Sequence, residues 1–584
     1  MSRMVLNSCH LAQDQLKWTP NQGNIHWVIP REVNPNFTGQ KELLDEMKIK
    51  LCPSITGQEQ SRKCFAIIGI GGAGKSEVCL NFANTQRNEL WGVFWIDATA
   101  PSTIQRTYID AAQRCQPNGS LEIKDFKIAK AFFDNVKYPY LFVLDNADDV
   151  KETLHPYLPT GPSATIIITS RDYKKISYGT AGAITLEKLD IEDAIELLFK
   201  SSNTSKACRA EKRPDAEAVV QLLAQHALAV VQAGAYIHQR PCTLKEYEVE
   251  FRQQKKRPSL LRFRNTEDFS RYGDVYATFE VSAQFLEEFK STDQAYANAL
   301  ELLGVLGHLY FTRVPQAMFT CARENARDIT KKDLHPNDIR SLSPWHVSKL
   351  PKSLREVPLD DVSDAVSLSL HDAFGVLRSF AIITIQLETK EISMHLLAHA
   401  WARDRLSEAD KQGAWACTMS LIALSTCSCI YSPGISYDDR DFLKHLQPNA
   451  ESCIDVSPEG SFSIYPAIEL GRMLAHFAWF FYKMDAHLRC KAQATKLRKE
   501  FGSKDSISIN SSWIEYIHAM CLIPLDEYNT AQEILEGIVG SDEEVSIADT
   551  TKIPFAAKMA LAAIYLLKGK NQLAVNFLRG NPNN

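Results

Sequence analysis

Short runs of apolar residues, separated by stretches with helical spacing, mark the first third of the chain. The runs lie at 64–70, 92–97, 141–144 and 165–169 and contain few polar residues. Strands that are buried on both faces of a parallel sheet have this nearly continuous apolar pattern. A helix is predicted just before the first run, with an apolar face of Leu43, Leu44, Met47 and Leu51. The order of these elements predicts a parallel α/β sheet covered by helices on both faces.

The apolar spacing becomes helical from residue 186 onward. The first helix of this part is predicted to have an apolar face of Leu186, Leu189, Ile195, Leu198 and Phe199. Segments 216–237 and 276–310 also have the spacing of long helices. Segment 363–406 alternates helical stretches with short strand-like runs, which indicates a small mixed domain at about 275–410.

The last 130 residues or so contain a weak repeat with a period of about 42 residues. Its three sets of matched positions are Ala478, Phe481 and Cys490; Ala519, Leu522 and Ala531; and Ala562, Tyr565 and Ala574. Small residues at matched places on two consecutive helices allow these helices to pack closely. The spacing therefore predicts an α-solenoid of helical hairpins, with an irregular helical domain as the alternative.

Composition and charge exclude several classes of protein. At 584 residues the chain is too long for one core, and its 45% apolar and 23% charged residues are ordinary for a soluble protein. A formal net charge of −5 gives no electrostatic reason to expect binding to nucleic acid or to a membrane. We interpret one basic cluster as a solvated connector, with a nucleic-acid role as the alternative; it consists of Lys255, Lys256, Arg257, Arg262 and Arg264.

The cysteines and the N-terminal residues indicate an intracellular compartment. The 14 cysteines form no C-x-x-C pair, and several fall within apolar stretches, as buried, reduced thiols do. The first residues lack an apolar signal region, and no window reaches 18 uninterrupted apolar residues. The sequence predicts a soluble, cytoplasmic protein.

A glycine-rich stretch with phosphate-binding spacing follows the first apolar run. Residues 69–77 read GIGGAGKSE and match the pattern G-x-x-x-x-G-K-[ST]. A strand, a glycine-rich turn and a helix N-terminus together direct backbone N–H groups at an anion. Lys75 is expected to reach the β- and γ-phosphates of a nucleotide, and Ser76 to bind Mg²⁺ through its hydroxyl. The predicted nucleotide-binding residues of this stretch are Gly69, Gly71, Gly72, Ala73, Gly74, Lys75, Ser76 and Glu77.

Asp145 is the second candidate, because it ends the apolar run at 141–144. A carboxylate at the carboxyl end of a strand beside the phosphate loop can hold Mg²⁺ through water. Position 146 is Asn, where many hydrolysing P-loop enzymes have a second acid. This residue favours slow hydrolysis, or a base supplied by Asp148 or Asp149. The alternative for Asp145 is a simple cap at the end of a strand.

Arg171 follows the fourth apolar run, in the sequence TSRD. The end of that strand is expected to face the same crevice as the phosphate loop. A guanidinium there can detect a γ-phosphate, because its fork matches phosphate oxygens. A surface salt bridge is the alternative role.

In their order, these motifs resemble the NB-ARC family of STAND P-loop ATPases, and especially fungal NOD-like receptor proteins with C-terminal tetratricopeptide repeats. The sequence FTGQ at 37–40 is similar to the family's F-x-G-R lead-in, which frames adenine, and this resemblance implies roles for Phe37, Thr38 and Gln40. The sequence QHALAVVQAGAYI resembles a helix of the fungal proteins. MHLLAHAWARDRL resembles the winged-helix motif whose histidine contacts the ADP β-phosphate, which implies that role for His395.

The chain departs from the family pattern at three positions that bear on nucleotide binding and switching. Gln40 stands where the family usually has Arg, Ala227 where a Pro normally abuts the nucleotide, and Leu396 follows the histidine in place of the usual residue. From composition alone, His395 also fits a hydrogen-bonded histidine inside a small domain.

The resemblance implies a multidomain fold, α/β followed by α. A lead-in segment at 1–33 would precede a P-loop NTPase domain at 34–180 and a helical domain at 181–265. A winged-helix-like domain would follow at 266–410, and the repeat region, similar to tetratricopeptide repeats, would occupy 411–584.

The function implied by this resemblance is a nucleotide-dependent switch. ADP or ATP with Mg²⁺ would bind at the phosphate loop, with Lys75, Asp145 and Arg171 as the residues closest to the chemistry. Exchange of ADP for ATP would release the domains for self-association in signalling, and the repeats would bind protein partners. Two alternatives are a turnover ATPase, against which Asn146 counts, and a binding scaffold with a degenerate pocket, against which the intact phosphate loop counts.

Overall fold

The structure of the protein is a computed structural model. It describes residues 18–19, 22–52, 61–116, 123–148, 153–240, 242–255, 267–330, 341–355, 365–430, 436–458, 464–501, 511–540 and 552–578. Contacts between residues divide the chain into two compact units. The first comprises residues 1–284 with 379–382 and 395–398, and the second comprises 285–378, 383–394 and 399–584.

A six-stranded parallel sheet forms the centre of the first unit. Its strands are β1 (His26–Val28), β2 (Lys63–Gly69), β3 (Gly92–Asp97), β4 (Tyr140–Asp145), β5 (Ala164–Ser170) and β6 (Gly182–Leu186). Their order in the sheet is β1-β3-β4-β5-β2-β6, and every pair is parallel. Because all carboxyl ends meet at one edge, the ends of β2, β4 and β5 lie side by side. The four strands predicted from apolar runs are confirmed.

Helices cover both faces of this sheet, as the pattern predicted. They are α1 (Lys41–Leu51), α2 (Lys75–Thr85), α3 (Pro101–Arg114) and α4 (Phe126–Asp134). Successive strand residues enter two different cores: Phe142 and Leu144 join one, while Leu141 and Val143 join the other. This alternation explains why the strands are apolar throughout, since both of their faces are buried.

The helical part of the first unit differs from the prediction at two places. Its helices are α5 (Ile191–Ser201), α6 (Arg209–Leu222), α7 (Ala227–Gln239) and α8 (Leu244–Lys255). Leu186 ends strand β6 and Leu189 precedes α5, so neither belongs to the helical face to which we assigned them. The long helical region predicted at 216–237 consists of parts of two helices, α6 and α7. Ala224 and Gln225 adopt left-handed backbone angles there, with φ of 52° and 57°, which ends α6 before α7 begins.

The second unit begins within the helix α9 (Glu267–Phe289) and contains a small antiparallel sheet. Its helices include α10 (Gln294–Leu306), α11 (Ala317–Thr330), α12 (Pro344–Ser348), α13 (Lys352–Arg355), α14 (Ala365–Ser379), α15 (Leu396–Asp404), α16 (Glu408–Ile430) and α17 (Tyr437–Asp455). Strands β7 (Val314–Pro315), β8 (Ile383–Gln386) and β9 (Glu391–Met394) pair in the order β7-β9-β8. This mixture of helices and short strands agrees with the pattern at 363–406.

Helix α16 is long and apolar enough to cross a membrane, by length and composition only. In the structure, 72% of its most apolar window is buried inside the protein. Its buried side chains include the large Trp415 as well as small polar residues such as Ser420 and Thr426. This burial is what a core helix of a folded unit shows, because its apolar surface is covered by other helices.

Six helices form consecutive hairpins in the last part of the chain. They are α18 (Ala467–Lys483), α19 (His487–Phe501), α20 (Ser511–Leu522), α21 (Tyr528–Gly540), α22 (Lys552–Leu567) and α23 (Asn571–Leu578). The matched small residues of the repeat are all buried: Ala478, Ala519, Ala562, Cys490, Ala531 and Ala574. The parallel sheet and this α-solenoid confirm the predicted fold class. The winged-helix-like domain and the domain boundaries stay predictions.

Candidate nucleotide-binding site

The loop between β2 and α2 has the backbone that its glycines were expected to allow. Gly74 precedes α2 with a φ of 100°, and Gly72 has a φ of 78°. A Cβ atom added at Gly72 would lie 2.6 Å from Cε1 of His226 and 3.0 Å from Cβ of Leu228. Gly72 is therefore required both by the left-handed backbone and by the close packing of α7 against the loop.

Lys75 points into the curve of the phosphate loop. Its ammonium donates hydrogen bonds to the carbonyls of Gly69 at 2.7 Å and Ile70 at 2.9 Å, and the residue is buried. Burial lowers the pKa of the Lys75 ammonium, while the carboxylates of Asp148 and Asp145 oppose that shift. The amine is thus placed inside the loop, where a phosphate group can replace the two carbonyls as its partner.

Ser76, Asp145 and Thr169 form a hydrogen-bonded group at the carboxyl ends of the strands. The Ser76 hydroxyl lies 2.8 Å and 3.0 Å from the two carboxylate oxygens of Asp145. Thr169, from the intervening strand β5, donates to the same carboxylate at 2.5 Å. Burial raises the pKa of the Asp145 carboxyl, although both hydrogen bonds oppose the shift. A hydroxyl beside a buried carboxylate is an all-oxygen set that fits Mg²⁺, and the cation would compensate the buried charge.

Asn146 and Asp148 follow Asp145 in a tight turn. Asn146 has a φ of 61°, and its N–H donates to the Thr169 hydroxyl at 2.9 Å. The carboxylate of Asp148 accepts hydrogen bonds from the Ser170 hydroxyl and from the backbone and side chain of Arg171. Asp149, the other candidate base, lies outside the described residues.

Arg171 is at the sheet edge that the sequence predicted, and it has a carboxylate partner there. Its Nε donates to Oδ2 of Asp148 at 2.6 Å, and the Asp148 side chain is largely buried. This ion pair joins the turn after β4 to the residue that follows β5, and both side chains are partly buried. The guanidinium would have to leave Asp148, or share it, to contact a phosphate.

Residues 37–40 pack against helix α5. The Lys200 ammonium donates to the Thr38 hydroxyl at 2.9 Å and to the Phe37 carbonyl at 3.4 Å. Phe37 also packs against the core cluster on one face of the sheet. Gln40 has a left-handed backbone with a φ of 60° and immediately precedes α1. These contacts with α5 and with the core cluster fix the position of residues 37–40, immediately before α1.

His395 belongs to the first unit, although it lies more than 300 residues after the phosphate loop in sequence. Its Nδ1 accepts a hydrogen bond from the N–H of Leu397 at 3.1 Å, which leaves Nε2 as the protonated nitrogen. The residue keeps access to water, yet burial by the surrounding protein lowers its pKa to about 3. The charges of Arg31, His226, Lys75 and Arg171 lower that pKa further. A neutral N–H donor and several cationic side chains therefore converge near the phosphate loop.

Besides Thr169, His226 and Arg31 are residues near the loop that the sequence analysis missed. His226 has its Nε2 2.8 Å from the Gly71 carbonyl, and its Nδ1 accepts from the Ala229 N–H at 3.4 Å, at the start of α7. Arg31 follows β1 and forms an ion pair with Glu77. A period or motif does not reveal such residues, since they reach the loop through the fold and not through local spacing.

No family model matches the chain. In a comparison with curated proteins, it is 30% identical over 246 residues to a nucleotide-binding leucine-rich repeat (NLR)-like protein of Hyaloscypha variabilis. The match covers 38% of this chain and 24% of that protein. Over these 246 residues the chain is similar to that NLR-like protein. The resemblance to NOD-like receptor proteins that the motifs indicated is confirmed by this match.

Solved structures that are similar to this chain have lower sequence identity. One is a STAND protein with a tetratricopeptide repeat sensor from Pyrococcus horikoshii, 12% identical, with a TM-score of 0.46, covering 96% of this chain and 66% of that one. Another is Cdc6p from Pyrobaculum aerophilum, 12% identical, with a TM-score of 0.26, covering 64% and 96% respectively. The chain spans about a quarter of the length of the curated relative that it matches.

Proposed function

We propose that the protein is a STAND-type molecular switch that binds ADP or ATP at the phosphate loop. The observation that carries the proposal is the convergence of Lys75, Ser76 and Asp145 with the distant His395 in one compact unit. A glycine-rich turn that binds no ligand would not need a buried lysine, a buried carboxylate and a histidine from a distant part of the sequence.

Each residue of the site has a role in this proposal. The backbone N–H groups from Gly71 to Ser76 would bind the phosphates, and Lys75 would contact the β- and γ-phosphates. Ser76 and Asp145 would hold Mg²⁺, which supplies charge neutralisation of the phosphates when it is bound. The segment 37–40, with Phe37, Thr38 and Gln40, would frame the adenine.

His395 would distinguish the closed, ADP-bound form. Its Nε2–H is the free donor of a neutral imidazole, and it would donate to the β-phosphate. Replacement of ADP by ATP would favour a form in which this contact is lost, and Arg171 would then turn from Asp148 toward the γ-phosphate. The released form would self-associate, as a two-state element biased by one phosphate group.

Hydrolysis would be slow in this switch. Asn146 has no carboxylate, and the carboxylate of Asp148 already accepts three hydrogen bonds from Ser170 and Arg171. A group that orients water as a general base needs a free acceptor within hydrogen-bond reach of that water. The site therefore favours nucleotide binding over turnover.

The C-terminal hairpins would supply the surface for protein partners. Stacked helical repeats form extended surfaces of this kind. We place the protein in the cytoplasm, in a signalling or immunity-like response, because nucleotides and reduced cysteines are both found there. Nucleic acid and membrane are not among the partners that we propose.

The nucleotide content of the purified protein tests this function. The protein would be denatured and the released nucleotide identified by ion-exchange chromatography, with phosphate release measured in parallel. Retained ADP with little turnover is the expected result. Rapid phosphate release would instead indicate a turnover ATPase, and protein that neither retains nor binds ADP or ATP would indicate a scaffold.

A further inference from the structure

Arg31 reaches the phosphate loop from the edge strand of the sheet. Strand β1 pairs in parallel with β3, and its last residue, Val28, is level with Phe94. The next residue, Ile29, packs against a core cluster of the sheet. Arg31 therefore follows at the carboxyl edge, where the ends of β2 and β4 also lie. The pairing of β1 with β3 and the packing of Ile29 fix the position of Arg31.

The partner of Arg31 is a carboxylate that lies unusually close to a phosphate-binding loop. Glu77 is the third residue of α2 and directly follows Ser76. Its Oε1 accepts a hydrogen bond from Nη1 of Arg31. Its Oε2 is buried and has no hydrogen-bond partner among the described residues. A negative charge in this first turn competes with a bound phosphate for the positive helix end and for nearby cations.

Arg31 has donors that Glu77 does not use. A guanidinium carries five N–H donors, and the contact with Glu77 engages Nη1. The Arg31 side chain is 34% exposed, so it has room to move. Burial is the largest influence on the pKa of Asp145, which it raises, and on that of His395, which it lowers; the positive charge of Arg31 acts to lower both. These two residues lie on the Mg²⁺ side and the β-phosphate side of the proposed site, and Arg31 is within electrostatic reach of both.

We propose that Arg31 is a phosphate-binding residue of this site and that Glu77 competes with the nucleotide for it. Without nucleotide, Arg31 is held by Glu77. When the phosphate chain of a nucleoside di- or triphosphate binds, the guanidinium donates to phosphate oxygens, which match its fork geometry. This inference rests on the proposed nucleotide function, and it adds a cation that comes from outside the phosphate loop motif.

The competition gives two substitutions with opposite expected effects. Arg31→Gln removes the phosphate donor and should raise the dissociation constant for ADP at least tenfold. Glu77→Gln releases the guanidinium and removes a repelling charge, so it should lower that constant at least threefold. A purely structural ion pair predicts a different pattern, because breaking it from either side would change binding in the same direction or not at all.

The test is a titration of nucleotide-free, full-length protein with a fluorescent ADP analogue in the presence of Mg²⁺. Arg213→Gln is the matched control, since it breaks an exposed arginine–glutamate pair with Glu192 in the same unit. Its dissociation constant should stay within twofold of the wild-type value. Shifts in the same direction for Arg31→Gln and Glu77→Gln, or no shift for Arg31→Gln, would overturn the inference.

Two further variants keep the test decisive. Arg31→Lys retains a charge for Glu77 and offers phosphate a single ammonium, so its dissociation constant should lie between those of the wild type and Arg31→Gln. A wild-type value for a folded Arg31→Lys protein would also count against the phosphate role if Arg31→Gln does not fold.

Lys75→Ala separates the two proposals. If Lys75→Ala binds ADP as tightly as the wild type, the nucleotide site itself is misassigned. If Lys75→Ala loses binding while the Arg31 variants keep wild-type affinity, only the role of Arg31 fails.

Discussion

Asp145 is a buried carboxylate whose charge the proposed Mg²⁺ would compensate. Burial raises its pKa above the ordinary value of 3.8. A raised carboxyl pKa means that the folded protein loses stability as the pH rises from the unfolded pKa through the folded one. Above the unfolded pKa, burial of this carboxyl group is therefore a cost to the nucleotide-free fold. The function of the site would explain why the residue is an aspartate.

Replacement of Asp145 by Asn tests this interpretation. Asn keeps the shape and can accept the hydrogen bonds from Ser76 and Thr169, but it has no charge to bury. The nucleotide-free variant should have an equal or higher free energy of unfolding in urea at pH 7. Its ADP affinity should no longer respond to Mg²⁺. A loss of more than about 1 kcal/mol in the nucleotide-free protein would show that Asp145 is mainly a structural residue.

His395→Ala removes the proposed donor to the ADP β-phosphate. One such hydrogen bond is worth about 0.5–1.5 kcal/mol, so ADP release should become up to about tenfold faster. The melting temperature without nucleotide should change little, because the residue keeps access to water. A core histidine would give the reverse result, with a lower melting temperature and an unchanged release rate. Stopped-flow displacement of a fluorescent ADP, beside thermal melting, distinguishes the two.

Residues of this site were predictable from sequence when one local segment carried the chemistry. Lys75 and Ser76 sit in a fixed motif, and Asp145 ends an apolar run, so their chemical roles could be proposed directly. Arg31 and Thr169 could not be found in this way, because their partners Glu77 and Asp145 are 46 and 24 residues away. Such pairs can be identified only when the strand order is known.

At the scale of elements, sequence pattern found the buried strands and missed the short edge ones. Strand β1 has three residues, and β6 is mostly half-buried, so neither has the continuous apolar run of β2 or β4. The break between α6 and α7 was missed for another reason. It depends on left-handed backbone at Ala224 and Gln225, residue types that do not signal a helix end as glycine does.

Helices α16 and α18 depend on each other. The hydroxyl of Thr426 lies 2.8 Å from Nε2 of His476, and the Trp479 indole donates to the Ile430 carbonyl at 3.2 Å. Removal of everything after residue 455 would expose this apolar helix. Truncation after residue 510 would keep α18 and α19 over it.

We therefore expect opposite outcomes for two truncations. The protein that ends at residue 510 should be soluble and bind ADP with wild-type affinity, because repeat units contact mainly their neighbours. The protein that ends at residue 455 should aggregate. Soluble yield and ADP titration are the measurements, and equal behaviour of the two truncated proteins would contradict this account of the boundary.

At the scale of the whole molecule, several buried or half-buried histidines link stability to pH. Burial lowers the pKa of His399 and His476 to about 3 and that of His26 and His346 to about 4, from an ordinary value of 6.5. Below pH 6.5 the unfolded chain binds protons that the folded protein does not. Stability should therefore fall as the pH decreases from 6.5, by about 1.4 kcal/mol per pH unit for each such histidine.

His476→Gln isolates one of these contributions. Glutamine can keep a hydrogen bond to Thr426 but does not titrate. The dependence of the unfolding free energy on pH between 5.5 and 4.5 should be less steep in the variant by about 1.4 kcal/mol per pH unit. Urea titrations at a series of pH values measure this slope. An unchanged slope would mean that His476 takes up its proton in the folded protein.

The central claim is that the phosphate loop binds a nucleotide through Lys75. Isothermal titration of nucleotide-free protein with ADP and Mg²⁺, for the wild type and for Lys75→Ala, tests it most directly. The account predicts saturable, one-site binding by the wild type and no measurable binding by the variant. Both proteins should have similar melting temperatures without nucleotide, because the partners of the Lys75 ammonium among the described residues are carbonyls of its own loop, at Gly69 and Ile70. Equal ADP affinity in the two proteins would contradict the assignment.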